Sequence, residues 1–155
     1  MIIKSHFCAP PGEARRRIIT NVLNIHKDDN RTIIQALLAK KVEVIDNVWD
    51  LGLKYVPPLG NEDEQPFYSI VDMLERGEFS CGDAAAYEAA VQEEKYHVPA
   101  HCMCVAQGSN EYHAIYVTAN GPTDPTEYWL QQYARKHGLP YETASAGANR
   151  WGGMG

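Results

Sequence analysis

Residues 76–90 read RGEFSCGDAAAYEAA, and the fold turns on this stretch. Ser80 is a good helix N-cap, and Asp83 stands three residues on, where the acid of a capping box belongs. Behind them, alanine has high helix propensity, and Ala85, Ala86, Ala89, Ala90 and Glu93 follow the helical repeat. A helix from about Gly82 to Lys95 is expected, with Cys81 in its first turn. Unpaired N–H groups and the positive end of the helix dipole face that position, and both favour thiolate over thiol. The first-turn N–H groups, that of Gly82 among them, are also placed to hold a developing oxyanion. A small apolar core cysteine is the plainer reading of the same residue.

Upstream of this stretch the texture is helical. In EARRRIITNVLNIH (13–26), Ile18, Ile19, Val22, Leu23 and His26 recur at helical spacing. Asp28-Asp29-Asn30 offers a new N-cap, after which Ile33, Ile34, Leu37 and Leu38 share a face. A further amphipathic piece runs through Val42, Ile45, Val48, Trp49 and Leu53 and stops at Pro57-Pro58. NEDE (61–64) reads as an acidic solvated loop, followed by a helical turn or two around Ile70, Val71 and Leu74 that ends at Gly77. The aromatics Trp49, Tyr55, Phe67, Tyr68 and Phe79 read as core residues more readily than as a cleft.

Downstream the period changes to two. HCMCVAQ (101–107) and EYHAIYVTA (111–119) are β-like runs separated by Gly108-Ser109-Asn110, a hairpin signal. TEYWLQQYARKHG (126–138) returns to helix, LPYETASA suits a short strand, and GANRWGGMG is a mobile end. Helices first, then a hairpin, then a helix make an α+β domain.

A cysteine nucleophile needs a base, and the base an orienting group. His113 shares a strand face with Ile115 and Val117, so a satisfied core histidine is the plainer reading. Asp124, in the turn GPTDPT, is placed to reach back to its ring. His97, His101, Cys102 and Cys104 lie within eight residues and raise the question of zinc. On a strand, however, Cys102 and Cys104 face one way and His101 the other, and no CxxC knuckle is present, so no metal is assigned.

Taken in order, these pieces carry a resemblance. Cys81 with Asp83 opens an alanine-rich helix, HVPA follows at 97–100, then a strand, then His113-Ala114-Ile115, then Asp124-Pro125. The stretch from about 42 to 126 resembles the core of the transglutaminase-like superfamily of papain-like cysteine enzymes. The upstream VIDNVWDLGLKYVPP is similar to the helix that precedes the catalytic segment there. The resemblance implies N-terminal helices followed by a nucleophile-bearing helix packed on a small antiparallel sheet. It also implies Cys81 as nucleophile, His113 as general base and acid, and Asp124 as orienter. Gln65 would be a second oxyanion donor. His97 stands where that family usually has glycine. Only TANGPT separates the His113 strand from Asp124, so the family's third strand must be very short or missing. Asn120 is for that reason a rival orienter, since an amide oxygen also accepts from an imidazole N–H.

Bulk properties narrow the rest. The 155 residues, 45% apolar and 22% charged, suit one domain spanning 1–155, with 1–12 and 147–155 as flexible ends. The net charge of -6 argues against nucleic acid as a partner, and Arg15-Arg16-Arg17 reads as a solvated surface. No apolar stretch approaches a membrane span, and the start lacks a signal-peptide pattern, so a cytoplasmic protein with four reduced cysteines is expected. A phage-encoded chain would be virion-associated. Together with the resemblance, these features lead to a cysteine protease or amidase acting on a peptide or protein substrate without a cofactor. The alternatives are a transglutaminase, with an amine in place of water, or a catalytically residual component of a phage particle or other assembly.

Overall fold

In a computed structural model of the chain, the described residues are 2–6, 12–56, 64–107, 111–127 and 135, with backbone alone at 2–6, 64–65, 107 and 111–112. In chain order they form β1 (Ile2–His6), α1 (Glu13–Ala39), a 3-10 turn (Val48–Leu51), β2 (Lys54–Tyr55), β3 (Glu64–Tyr68), α2 (Ile70–Arg76), β4 (Glu78–Phe79), α3 (Cys81–Lys95), β5 (His101–Gln107), β6 (Glu111–Thr118) and β7 (Gly121–Thr123). This is a mixed, α+β arrangement. The stretches expected as a C-terminal helix and strand, and the glycine-rich tail, lie almost wholly outside the described residues.

The buried centre is α3. Cys81 to Tyr87 and Ala89 to Val91 are all buried, so the helix is covered all round. Alanine makes this feasible, because short side chains let neighbouring backbones approach closely while preserving helix propensity. One side, with Ala85, Ala86 and Ala89, meets Ile19 and Leu23 of α1 and Cys102, Cys104, Ala114 and Tyr116 of the sheet. The other side, with Ala84, Tyr87, Ala90 and Val91, meets Ile34, Val44, Val48, Ile70, Met73 and Phe79. At the far end His97 adopts φ 57, the left-handed conformation that glycine takes most cheaply, which gives a physical reason for glycine at that position.

The sheet is an antiparallel meander in the order β5-β6-β7, pairing Val105 with His113 and Thr118 with Gly121. Its third strand is only three residues long, so the short connection to Asp124 suffices. Ala114 and Tyr116 face the helices. Ile115 and Val117 pack with Met103 and Val105. Cys102 and Cys104 are buried on the helical side and His101 is exposed.

Helix α1 corrects the expectation of two helices broken at 28–30. It runs unbroken for 27 residues, and its buried stripe of Ile19, Leu23, His26, Asn30 and Ile34 keeps one face throughout. Asn30 does act as a cap, but for another helix: its Oδ1 accepts from Ile70 N–H, 2.8 Å away, at the start of α2. Arg15 also departs from the solvated reading. It lies one turn before Ile19 on the same stripe and is buried, whereas Arg17 is exposed and pairs with Glu13.

The expected helix over 42–53 does not form. Its polar backbone is used by α3 instead: Tyr87 Oη donates to Ile45 O, Lys95 Nζ to Val44 O at 2.8 Å, and Val48 N–H donates to Glu88 Oε2 at 3.1 Å. Asn47 then caps a single 3-10 turn. Two further expectations change. Ile2–His6, assigned to a flexible end, pairs antiparallel with β3, and Glu64, assigned to the acidic loop, begins that strand. Meanwhile β2 and β4 form a two-residue parallel pair that sets Tyr55 beside Phe79.

The outer edge of β5 is closed by a row of polar side chains on α1. Asn24 accepts from Cys102 N–H at 2.9 Å and donates to Cys102 O at 3.0 Å, mimicking a strand partner. Thr20 Oγ1 accepts from Cys104 N–H at 2.9 Å and Lys27 Nζ donates to Ala100 O at 2.9 Å. Replacing Asn24 by Leu would strand two backbone groups of Cys102. We expect Asn24→Leu to lower unfolding free energy in urea by ~2–4 kcal/mol, the usual cost of two unmet buried groups. A loss below about 0.5 kcal/mol, the range of a neutral surface change, would contradict the edge-closing role.

Candidate active site

The first turn of α3 is fixed from three directions. Ser80 Oγ accepts from Asp83 N–H at 3.5 Å, and Asp83 Oδ2 accepts from Ser80 N–H at 2.9 Å, completing the capping box. Asp83 Oδ1 also accepts from Tyr68 N–H at 2.8 Å, tying the end of β3 to the helix start. Burial pushes the Asp83 carboxyl up to about 7 while these hydrogen bonds oppose the shift. Asp83 therefore caps and fastens. Gly82 is required by packing: a Cβ there would stand 2.9 Å from Leu23 Cδ2 and 3.1 Å from Phe67 Cε1. With Asp83 and Ala84 N–H groups committed to Ser80, the first-turn donors left over are those of Cys81 and Gly82.

At this helix start lie Cys81, His113 and Asp124. Asp124 Oδ1 stands 2.8 Å from His113 Nε2, with the two side chains 0% and 5% exposed. The Cys81 side chain hydrogen-bonds the same ring. Because Nε2 is taken by Asp124, Nδ1 is the nitrogen left to meet the sulfur. Burial works against charge on His113, but the hydrogen bonds to Asp124 and Cys81 and their negative charge outweigh it, lifting its pKa from 6.5 to about 10. Burial likewise opposes charge on Asp124, and its bonds from His113 and Thr126 hold the carboxyl below its usual range. A histidine raised in this way stabilises the fold fully below pH 6.5, and that contribution is lost as pH climbs through about 10.

Of the other site candidates, Gly82 stands beside Cys81 in the first turn and Asn120 does not join the cluster. Asn120 is exposed in the β6–β7 turn, where its N–H donates to Thr118 Oγ1 at 3.2 Å. Gln65 lies in β3 opposite Ser5, and its side chain falls outside the described residues. Among the described residues no group of three His, Cys, Asp or Glu side chains is placed to hold a metal ion.

Three residues not assigned to the site from sequence complete its surroundings. Thr126 is fully buried, and both its N–H and Oγ–H donate to Asp124 Oδ1 at 2.9 Å. Trp49 Nε1–H donates to Pro125 O at 2.6 Å, clamping the middle of the same turn. Tyr55 forms a three-ring cluster with Trp49 and Phe79, at centroid distances of 5.7 and 5.5 Å, and packs against the cluster around Cys81. The available signal was the spacing in TDPT, where an aspartate accepts from the backbone N–H two residues on in an Asx turn and a threonine there adds a hydroxyl. The neighbouring thiols are quiet: burial pushes Cys102 up to about 12 and Cys104 well above the ordinary thiol range.

No protein-family model, curated protein or solved structure matches this chain. Gly82→Ala tests whether the site's geometry depends on the close approach of α1 and β3. Overpacking is expected to cost ~1–3 kcal/mol and to slow alkylation of Cys81 by displacing the first turn. A variant with wild-type melting temperature and wild-type alkylation rate would contradict this.

Proposed function

We propose that the chain is a thiol-dependent acyl-transfer enzyme with a papain-like, transglutaminase-like core that hydrolyses peptide or isopeptide bonds. The observation that carries the reading is a single imidazole held by a carboxylate at Nε2 and bonded to a cysteine at the N-terminus of a helix. In this reading Cys81 Sγ, as thiolate, attacks the substrate carbonyl carbon, and the displaced electron pair moves to oxygen beside the Cys81 and Gly82 N–H groups. His113 gives its Nδ1 proton to the departing amine as the C–N bond breaks, leaving a thioester. Water then gives a proton back to Nδ1 and attacks the thioester, which releases the acid and regenerates the thiolate. An amine in place of water would make the same site a transglutaminase.

A second reading is favoured by one observation, the 1% exposure of Cys81. In that reading the three residues are residual, and the domain is a binding or structural component of a larger assembly. Turnover by a monomer, abolished in Cys81→Ala, would remove it.

A peptide-like vinyl sulfone followed by peptide mapping tests the leading reading. The adduct is expected on Cys81, and His113→Ala should slow its formation by about 10²–10⁴-fold, the usual contribution of a positioned acid–base group. Substrate turnover should decline as pH rises through about 10, where His113 loses the proton it must donate. Even labelling of Cys81, Cys102 and Cys104, or a rate unchanged in His113→Ala, would contradict the assignment.

A further inference from the structure

The turn that presents Asp124 holds an arrangement that a turn alone does not need. Asp124 Oδ1 receives three donors: His113 Nε2–H at 2.8 Å, Thr126 N–H at 2.9 Å and Thr126 Oγ–H at 2.9 Å. Its other oxygen, Oδ2, is buried without a hydrogen-bond partner among the described residues. Everything that orients the carboxylate toward the ring therefore passes through one oxygen, and two of the three bonds there come from Thr126. The same hydroxyl oxygen lies 3.3 Å from His113 Nε2, so it borders the ring as well as the carboxylate.

Thr126 is itself held from behind. The Tyr55 phenol stands beside its side chain, near enough for the threonine hydroxyl to oppose the rise in phenol pKa that burial causes. Tyr55 has little freedom, because it packs in a three-ring cluster with Trp49 and Phe79, and Trp49 also holds the carbonyl of Pro125.

We infer that Thr126, backed by Tyr55, is a positioning residue for the cysteine–histidine pair. The Thr126 N–H and Oγ–H, both on Asp124 Oδ1, keep the carboxylate ionised and aligned with His113 Nε2–H, and through the ring they favour the imidazolium–thiolate form. This inference rests on the nucleophile reading given above. A threonine that merely closed its turn would need only the backbone N–H bond to Asp124. The side-chain bond and the phenol behind it set this one apart.

The test is the pH profile of Cys81 alkylation by iodoacetamide, mapped by mass spectrometry, with melting temperature measured alongside. The other titratable groups near the pair among the described residues are Tyr55, Cys104, Asp83 and Glu88, the last two pushed by burial to about 7. Glu88 and Cys104 are unchanged in every Thr126 variant, so differences among these variants report on the hydroxyl. Thr126→Val should move the acid limb of the profile upward by about one unit, the scale set by losing one hydrogen bond to a charged group. At a pH on that limb, alkylation should slow about tenfold. Thr126→Ser should restore the wild-type profile even if its melting temperature stays lowered. Tyr55→Phe should shift the limb in the same direction by less. If Thr126→Val fails to fold, Thr126→Ala against Thr126→Ser decides, since both lose the methyl and only Ser keeps the hydroxyl.

Coincident profiles for wild type, Thr126→Val and Tyr55→Phe would overturn the inference, and so would equal displacement of the Ser and Val variants. His113→Ala separates the two claims. A profile that moves in His113→Ala but not in Thr126→Val overturns the positioning role alone. A profile unmoved in His113→Ala overturns the nucleophile reading and this inference with it.

Discussion

A buried hydrogen bond between His113 Nε2 and Asp124 Oδ1, 2.8 Å long, is the constraint around which the candidate site is arranged. Two ionisable groups withdrawn from water are destabilising unless geometry and further hydrogen bonds compensate. Here Asp124 gains two bonds from Thr126, and His113 gains the Cys81 side chain on its other flank. Removing His113 or Asp124 would leave the other's charge buried without its partner. The three groups therefore stand or fall together, and the imidazole between them is driven toward its protonated form.

That arrangement can exist only if the first turn of α3 is held still. The alanines of α3 let α1 and the sheet approach closely enough to bury its start. Gly82 admits Leu23 and Phe67 where no side chain would fit, and Asp83 fastens the turn to β3. Within the sheet, β6 carries His113, and the three-residue β7 returns the chain in time for Asp124 to meet it. The row of Thr20, Asn24 and Lys27 closes the free edge of β5 and so sets the sheet's distance from the helices. Fold and site thus share elements: the residues that pack α3 are the ones that place its cysteine.

Local signals were legible in the sequence where a residue acts on its own segment. Ser80 and Asp83 cap the helix they begin, Gly77 ends α2 with φ 73, and alternation assigned Cys102 and Cys104 to one face. Legibility failed where a residue acts across the chain. Asn30 has the chemistry of a cap, but it serves α2, forty residues away, while its own helix continues. Residues 42–47 have helical spacing, yet their carbonyls are taken by Tyr87 and Lys95. Thr126 reads as a turn residue, and its bonds to the site appear only once Asp124 and His113 meet. Cys81, His113 and Asp124 were singled out by an order of motifs that resembles a known family, and the structure brings the three together. Their distances depend on packing that no short window contains.

The central claim, an imidazole held charged between a cysteine and a carboxylate, is tested most directly by following the His113 ring nitrogens by NMR as pH is raised. The account predicts a ring still protonated on both nitrogens at pH 8, titrating toward about 10. In Asp124→Ala that titration should fall back toward the ordinary value of 6.5. A wild-type ring that is neutral at pH 8 and titrates near 6.5, with Asp124→Ala leaving it unmoved, would contradict the account.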